Sequence, residues 1–278
     1  MRSTAAARRL KRYANRLNLK QRYMARMERA MLKGPSQPTV AAISKYVARQ
    51  FERHYELPGD RIRLIYNGVD QDQMQPRNWE LERAELREEF GIRANEILVL
   101  EVAHNFRLKG VQHWLQAMEL LRKQGHNNIR SLVIGRGDSP RWHHRARKMG
   151  LAGDLEFLGP SERVRQFYHA ADVLVHPTYY DPCSRVVLEA MVSGLPCITT
   201  RWDGASEIIT NGVSGFVLDE PDDVKGLAER VATLRDPELR RRMGTAARKA
   251  VEPYSMSRHA AEMLKLYEEL SHSRKVSA

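Results

Sequence analysis

Residues 176–200 read HPTYYDPCSRVVLEAMVSGLPCITT, and the order of features in them sets the fold. The six residues before Pro177 (ADVLVH, 171–176) form an apolar run of strand length. Pro177 ends that run. Ser184 is placed to cap a helix reaching about Ser193, with Val186, Val187, Ala190 and Met191 on its apolar face. Gly194 suits the left-handed stop of such a helix, and 195–200 reads as the next buried strand. The unit is strand, loop, helix, strand.

Working outward, strands are predicted near 39–43, 62–66, 96–102, 131–135, 154–158, 172–176, 195–200 and 215–218. Helical stretches lie between most of them. After residue 221 the chain reads helical to about 270, with interruptions near Pro237 and Pro253. This alternation predicts an α/β fold with a doubly wound, Rossmann-like parallel sheet. Loops after the strands of such a sheet carry ligands.

The loop and helix start in 176–200 fall at such a strand end. Backbone N–H groups at Cys183, Ser184 and Arg185 are expected to face a phosphate, assisted by the helix dipole. Pro182 lies in the same loop. Glu189, about one turn into the helix, can accept two hydrogen bonds from a vicinal diol such as a ribose. Asp181 can do the same for a second sugar. Two carboxylates flanking a diphosphate suit a sugar nucleotide. An isolated Asp-x7-Glu is more often a turn acid and a solvated helix residue; the surrounding pattern is what makes it a site.

That pattern resembles the retaining glycosyltransferases of the GT-B fold, family 4. The family usually has Glu-x7-Glu, then Glu-Ala and Gly-x-Pro. Here Asp181 replaces the first Glu, while Glu189-Ala190 and Gly194-Leu195-Pro196 match. VAAISKYVARQFERHYELPGDRIRLIYNGVD (40–70) is similar to the segment that joins the family's two domains. LVLEVAHNFRLKG (98–110) resembles the first strand and phosphate-contacting loop of its donor domain. Ala103-His104 stand where many members have Gly-Arg, and Arg107 and Lys109 are the local cations, as in the lipopolysaccharide-core glucosyltransferase branch. LVIGRGD (132–138) and LEFLG (155–159) fall at the base-side strands. The match covers roughly 38–270.

The resemblance implies hexosyl transfer with retention from a nucleotide-sugar donor, such as a UDP- or GDP-hexose, to a glycan or lipid-linked acceptor in cell-envelope or lipopolysaccharide biosynthesis. It implies no cofactor and no metal. Arg107, Lys109, Asp181 and Glu189 become the catalytic candidates. His104, Asn105, Gly135, Leu158, Pro182, Cys183, Ser184 and Arg185 become donor-binding candidates. It also divides the chain into a remnant of an acceptor domain (1–66), a donor domain (67–255) and a C-terminal helix and tail (256–278). A full Rossmann half does not fit in the first 60 residues, so donor binding with weak or absent transfer is expected of this chain alone. A nucleotide-sugar-binding module without catalysis is the alternative reading.

The chain has 278 residues, a formal net charge of +12 and two cysteines, Cys183 and Cys197. Two cysteines make no disulfide framework, and a reduced cytoplasmic setting is the simpler reading. No apolar run reaches the length of a membrane span. Residues 1–33 hold eleven Lys or Arg and one acid, Glu28, leaving 35 bases against 33 acids in the rest. Leu10, Tyr13, Leu17, Met24, Met27 and Met31 share one helical stripe. Two readings of this basic amphipathic helix stand: attraction to an anionic membrane surface at its inner face, or packing on the protein body with solvated cations. Nucleic acid is not expected, since no recognised binding motif accompanies the charge.

Among lesser candidates, Glu207 (in DGASEII) reads as a helix-start acid or a donor contact. Asp70-Gln71-Asp72 matches a metal-holding Asp-x-Asp string by chance. His143, His144 and His169 read as surface or packing residues.

Overall fold

The computed structural model describes residues 19–34, 38–75, 77–137 and 139–276. Leu10, Tyr13 and Leu17 of the amphipathic stripe lie outside the described residues. The chain divides into two compact units, one formed by Met1–Ala42 with Val47–Leu64, the other by Ile43–Tyr46 with Ile65–Ala278.

In the first unit, α1 (Leu19–Lys33) precedes a two-stranded parallel pair, β1 (Val40–Ala42) and β2 (Ile62–Leu64). Between them lies α2 (Lys45–Tyr55), whose first two residues count with the second unit. Lys33 pairs with Glu56 at 2.8 Å. Arg61 donates to the carbonyls of Leu32 and Pro38. Leu32 is buried, whereas Leu19, Tyr23, Met24, Met27 and Met31 are exposed.

The second unit is a six-stranded, all-parallel sheet in the order β5-β4-β3-β6-β7-β8. Its strands are β3 (Ile97–Val102), β4 (Ile129–Ile134), β5 (Leu155–Gly159), β6 (Val173–His176), β7 (Cys197–Thr200) and β8 (Gly215–Leu218). The helices are α3 (Trp79–Glu89), α4 (Val111–Lys123), α5 (Ser139–Lys148), α6 (Val164–Ala170), α7 (Arg185–Val192), α8 (Val224–Thr233), α9 (Pro237–Val251) and α10 (Met256–Val276). Every predicted strand is present. β7 starts two residues late because Pro196 has no N–H for the ladder.

β3 shows why the sheet is buried on both faces. Leu98 and Leu100 pack into a layer with α6, α7 and α9, while Ile97 and Val99 pack into another with α4, α5 and α8. A continuous apolar strand covered on both sides is the signature of parallel sheets. Glu101 interrupts this run. It alternates with Ile97 and Val99, is fully buried, and neither carboxyl oxygen has a partner.

The strand order runs outward in opposite directions from β3 and β6. The crevice outside the carboxyl ends of these two neighbours is the switch point where open α/β sheets bind ligands. The loop after β3 carries Lys109 and the loop after β6 carries Asp181.

Candidate functional site

The 177–184 loop is held from four sides. The Tyr179 N–H donates to Leu108 O (2.9 Å) and the Asp181 N–H to Trp202 O (3.0 Å). Thr200 Oγ1 donates to Thr178 O (2.7 Å), and Ser44 Oγ to Pro182 O (2.6 Å). The loop after β3 reaches this place through a turn that only glycine completes. Gly110 has φ +78°, and a Cβ there would lie 2.0 Å from Pro177 O.

At the centre, Lys109 Nζ donates to Asp181 Oδ2 (2.6 Å) and to Tyr180 O (3.3 Å). His176 Nε2 stands 3.4 Å from the same carboxylate oxygen, outside hydrogen-bond geometry. Asp181 Oδ1 accepts the Cys183 N–H (3.3 Å). Burial pushes the Asp181 carboxyl up, but His176 and Lys109 outweigh it and hold it below its ordinary value. Asp181 is thus an ionised anchor for Lys109. An ammonium has three donors, and two are used, so one remains for a phosphate oxygen.

The helix start differs from expectation. The Cys183 N–H goes to Asp181 and the Ser184 N–H to Asp203 Oδ1 (3.0 Å). Ser184 Oγ caps the helix by accepting from the Val187 N–H (3.4 Å). The N–H groups without a partner among the described residues are therefore those of Arg185 and Val186. The unpartnered donors lie further into the helix because two carboxylates already satisfy the first two. Cys183 is buried, and burial first, then Asp203, pushes its thiol up to about 12. Its side chain is inert packing.

Asp203 is the site residue that the sequence reading missed. It is fully buried, caps the short helical turn Gly204–Ile208 through the Ala205 N–H, and accepts from Thr199 Oγ1 (3.0 Å). Burial raises its carboxyl. Asp followed by Gly-Ala at the start of DGASEII is a helix-start signal, which was available in the sequence.

Glu189 lies on α7, with Oε2 accepting from the Tyr168 hydroxyl (3.0 Å) and Oε1 3.6 Å from Arg185. Burial raises its carboxyl against the opposing pull of Tyr168 and Arg185. Oε1 keeps acceptor capacity for a diol. His104 is exposed without a partner among the described residues, so it does not cap the loop. Asn105 adopts φ +61° and its carbonyl closes the turn onto the Leu108 and Lys109 N–H groups. Gly135 has φ +126°, and a Cβ there would lie 1.9 Å from Ala103 O, so β3 and β4 end in close contact. Leu158 is half-buried against the α7 layer. Arg107 does not join Lys109: it lines a separate pocket with Arg141 and Arg145.

Glu207 is a structural clamp. It accepts the N–H groups of Lys45 (2.9 Å) and Tyr46 (2.7 Å) at the start of α2 and the Tyr66 hydroxyl (2.7 Å). Tyr46 also meets Tyr180 and Trp202, with ring centroids 5.9 and 6.5 Å away, which flanks the Asp181 loop with aromatic rings. His169 is buried between Glu82 (2.8 Å) and Met74 O (3.0 Å), a packing role. Asp70 caps a short helix through the Gln73 N–H.

The model of the glycosyl transferases group 1 family matches residues 82–250, and that of glycosyltransferase family 4 matches residues 4–73. The lipopolysaccharide glucosyltransferase WaaG of Escherichia coli is 29% identical over 255 residues, covering 90% of this chain and 68% of WaaG. A crystal structure of WaaG, a glycosyltransferase involved in lipopolysaccharide biosynthesis, superposes with a TM-score of 0.80 at 26% identity, covering 90% of this chain and 69% of that one. Anabaena HepE, crystallised with UDP-glucose, shares the fold at a TM-score of 0.73 and 21% identity, over 83% and 63% of the two chains. The chain spans about half to two thirds of the length of the curated relatives it matches.

Proposed function

This chain belongs to the glycosyl transferases group 1 family and has a fold of the GT-B type, and from that premise we propose that its second unit binds a nucleotide-sugar donor at the β3–β6 switch point. The observation that carries this reading is the Lys109–Asp181 pair, which joins the loop after β3 to the loop after β6 at that crevice, with Glu189 on the helix that follows. Asp181 holds Lys109 in place, and the spare Lys109 proton and the free N–H groups of Arg185 and Val186 face the donor diphosphate. Charge building on the departing diphosphate is stabilised there by groups already oriented before reaction. Glu189 takes the ribose diol through Oε1. The sugar lies toward Asp181 and the exposed His104.

The transfer we propose moves a hexose with retention to a glycan or lipid-linked acceptor in cell-envelope biosynthesis, as the relationship to WaaG suggests. It is assigned to the whole protein.

Calorimetry with UDP-, GDP- and ADP-hexoses tests the donor site. One of them binds, and Glu189→Ala weakens that binding by about 1.5–3 kcal/mol, the range for a hydrogen bond to a charged group. No heat from any of the three with the folded chain removes the donor assignment. An unchanged affinity in Glu189→Ala removes the ribose role.

A further inference from the structure

Arg107 lies two residues before Lys109 but does not share its partners. It lines a pocket of about 260 Å³ together with Asn105, Gln112, Arg141, Trp142 and Arg145. The pocket lies on the α4–α5 side of the sheet, whereas α7 with Glu189 lies on the other side. Phe106 forms its floor, and Gly137 passes over that ring where a Cβ would come within 2.2 Å of Phe106 Cδ2. Phe106 in turn meets Trp142 edge-on at 6.2 Å.

The charges are arranged at some cost. Arg141 and Arg145 are four residues apart on α5, a like-charge spacing that disfavours a helix. Arg107 approaches them from a different element. No carboxylate lines the pocket among the described residues. Arg145 is steadied by Gln112 Oε1 (3.5 Å) and by the Trp142 ring (5.9 Å). Arg107 and Arg141 have no hydrogen-bond or ion-pair partner among the described residues, so both guanidinium forks are available.

We propose that this pocket is a second anion site, separate from the donor diphosphate site, that takes a phosphate group. Guanidinium forks match the oxygens of a phosphate two at a time, and the amides of Asn105 and Gln112 add neutral donors. An anion relieves the mutual repulsion of three cations around one hollow. The Trp142 face beside them suits a sugar that carries the phosphate. Arg107, in the loop at the carboxyl end of β3, lies two residues along the chain from Lys109. The inference does not rest on the donor reading.

The test is calorimetry on the full chain at low salt, with inorganic phosphate and with glucose 6-phosphate as probes. Phosphate binding at this pocket is expected, weakened at least tenfold in Arg141→Gln/Arg145→Gln, with nucleotide-sugar binding unchanged. Gln112→Glu, which brings a carboxylate into the same hollow, gives the same loss and covers the case where the double variant fails to fold. Glu189→Gln leaves phosphate affinity unchanged, so failure of the donor site and failure of this pocket are read separately. Tighter binding of glucose 6-phosphate assigns the site to a phosphorylated sugar, and equal binding assigns it to the free ion. The proposal is overturned if the folded chain binds neither probe. It is also overturned if Arg147→Gln/Lys148→Gln, an equal loss of charge on the same helix outside the pocket, weakens binding as much.

Discussion

At the scale of the residue, two carboxylates, Asp181 and Glu101, have opposite characters, and their surroundings explain both. Asp181 is paid in full by a lysine and a histidine, and its carboxyl falls below the ordinary range. Glu101 is more deeply buried and has no partner, and desolvation lifts its carboxyl well above 4.5. A carboxyl that holds its proton more tightly when folded makes stability fall as pH rises above the unfolded value near 4.5. Glu101→Met, similar in length and free of polar atoms, is therefore expected to stabilise the chain by about 1–3 kcal/mol at pH 7. Urea unfolding from pH 4 to 8 checks this: the gain is smallest at pH 4 and grows with pH. A gain that is flat across that range removes ionisation of Glu101 from the account.

At the scale of the element, α7 is placed by its first turn more than by its apolar face. Ser184 supplies the cap, while Asp203, on a different segment, fixes the Ser184 N–H, the Ala205 N–H and the Thr199 hydroxyl together. Asp203→Ala strips three buried donors of their acceptor at once. A loss of at least about 2 kcal/mol is expected, since each unmet group costs about 1–3 kcal/mol. Urea midpoints measure it, and a loss below 0.5 kcal/mol (about the scatter of a surface substitution) contradicts the role given to Asp203. The strand-loop-helix-strand unit was legible in residues 171–200 because periodicity and punctuation are local: Pro177, Ser184 and Gly194 each act within a few residues. The donors at the helix start were not legible, because the carboxylate that consumes the Ser184 N–H comes from nineteen residues away. Likewise the spacing of Arg107 and Lys109 put two cations in one loop, but only the positions of α5 and β6 separate them.

At the scale of the whole molecule, charge and apolar surface coincide on α1. Tyr23, Met24, Met27 and Met31 are exposed along a helix that also carries Lys20, Arg22, Arg26, Arg29 and Lys33. Among the described residues of the first unit, these side chains do not pack into a core. The chain is expected to co-sediment with vesicles rich in anionic phospholipid and to be released by salt, as basic segments near anionic headgroups are. Equal binding to neutral vesicles rules out the electrostatic part. Within the second unit, Glu207 clamps the N–H groups of Lys45 and Tyr46 across 162 and 161 residues of sequence. At roughly 5–20 residues per second of synthesis, the two halves of that clamp emerge about 8–30 s apart. Until Glu207 arrives, the Lys45 and Tyr46 N–H groups lack its carboxylate, so this join within the second unit is completed late in translation.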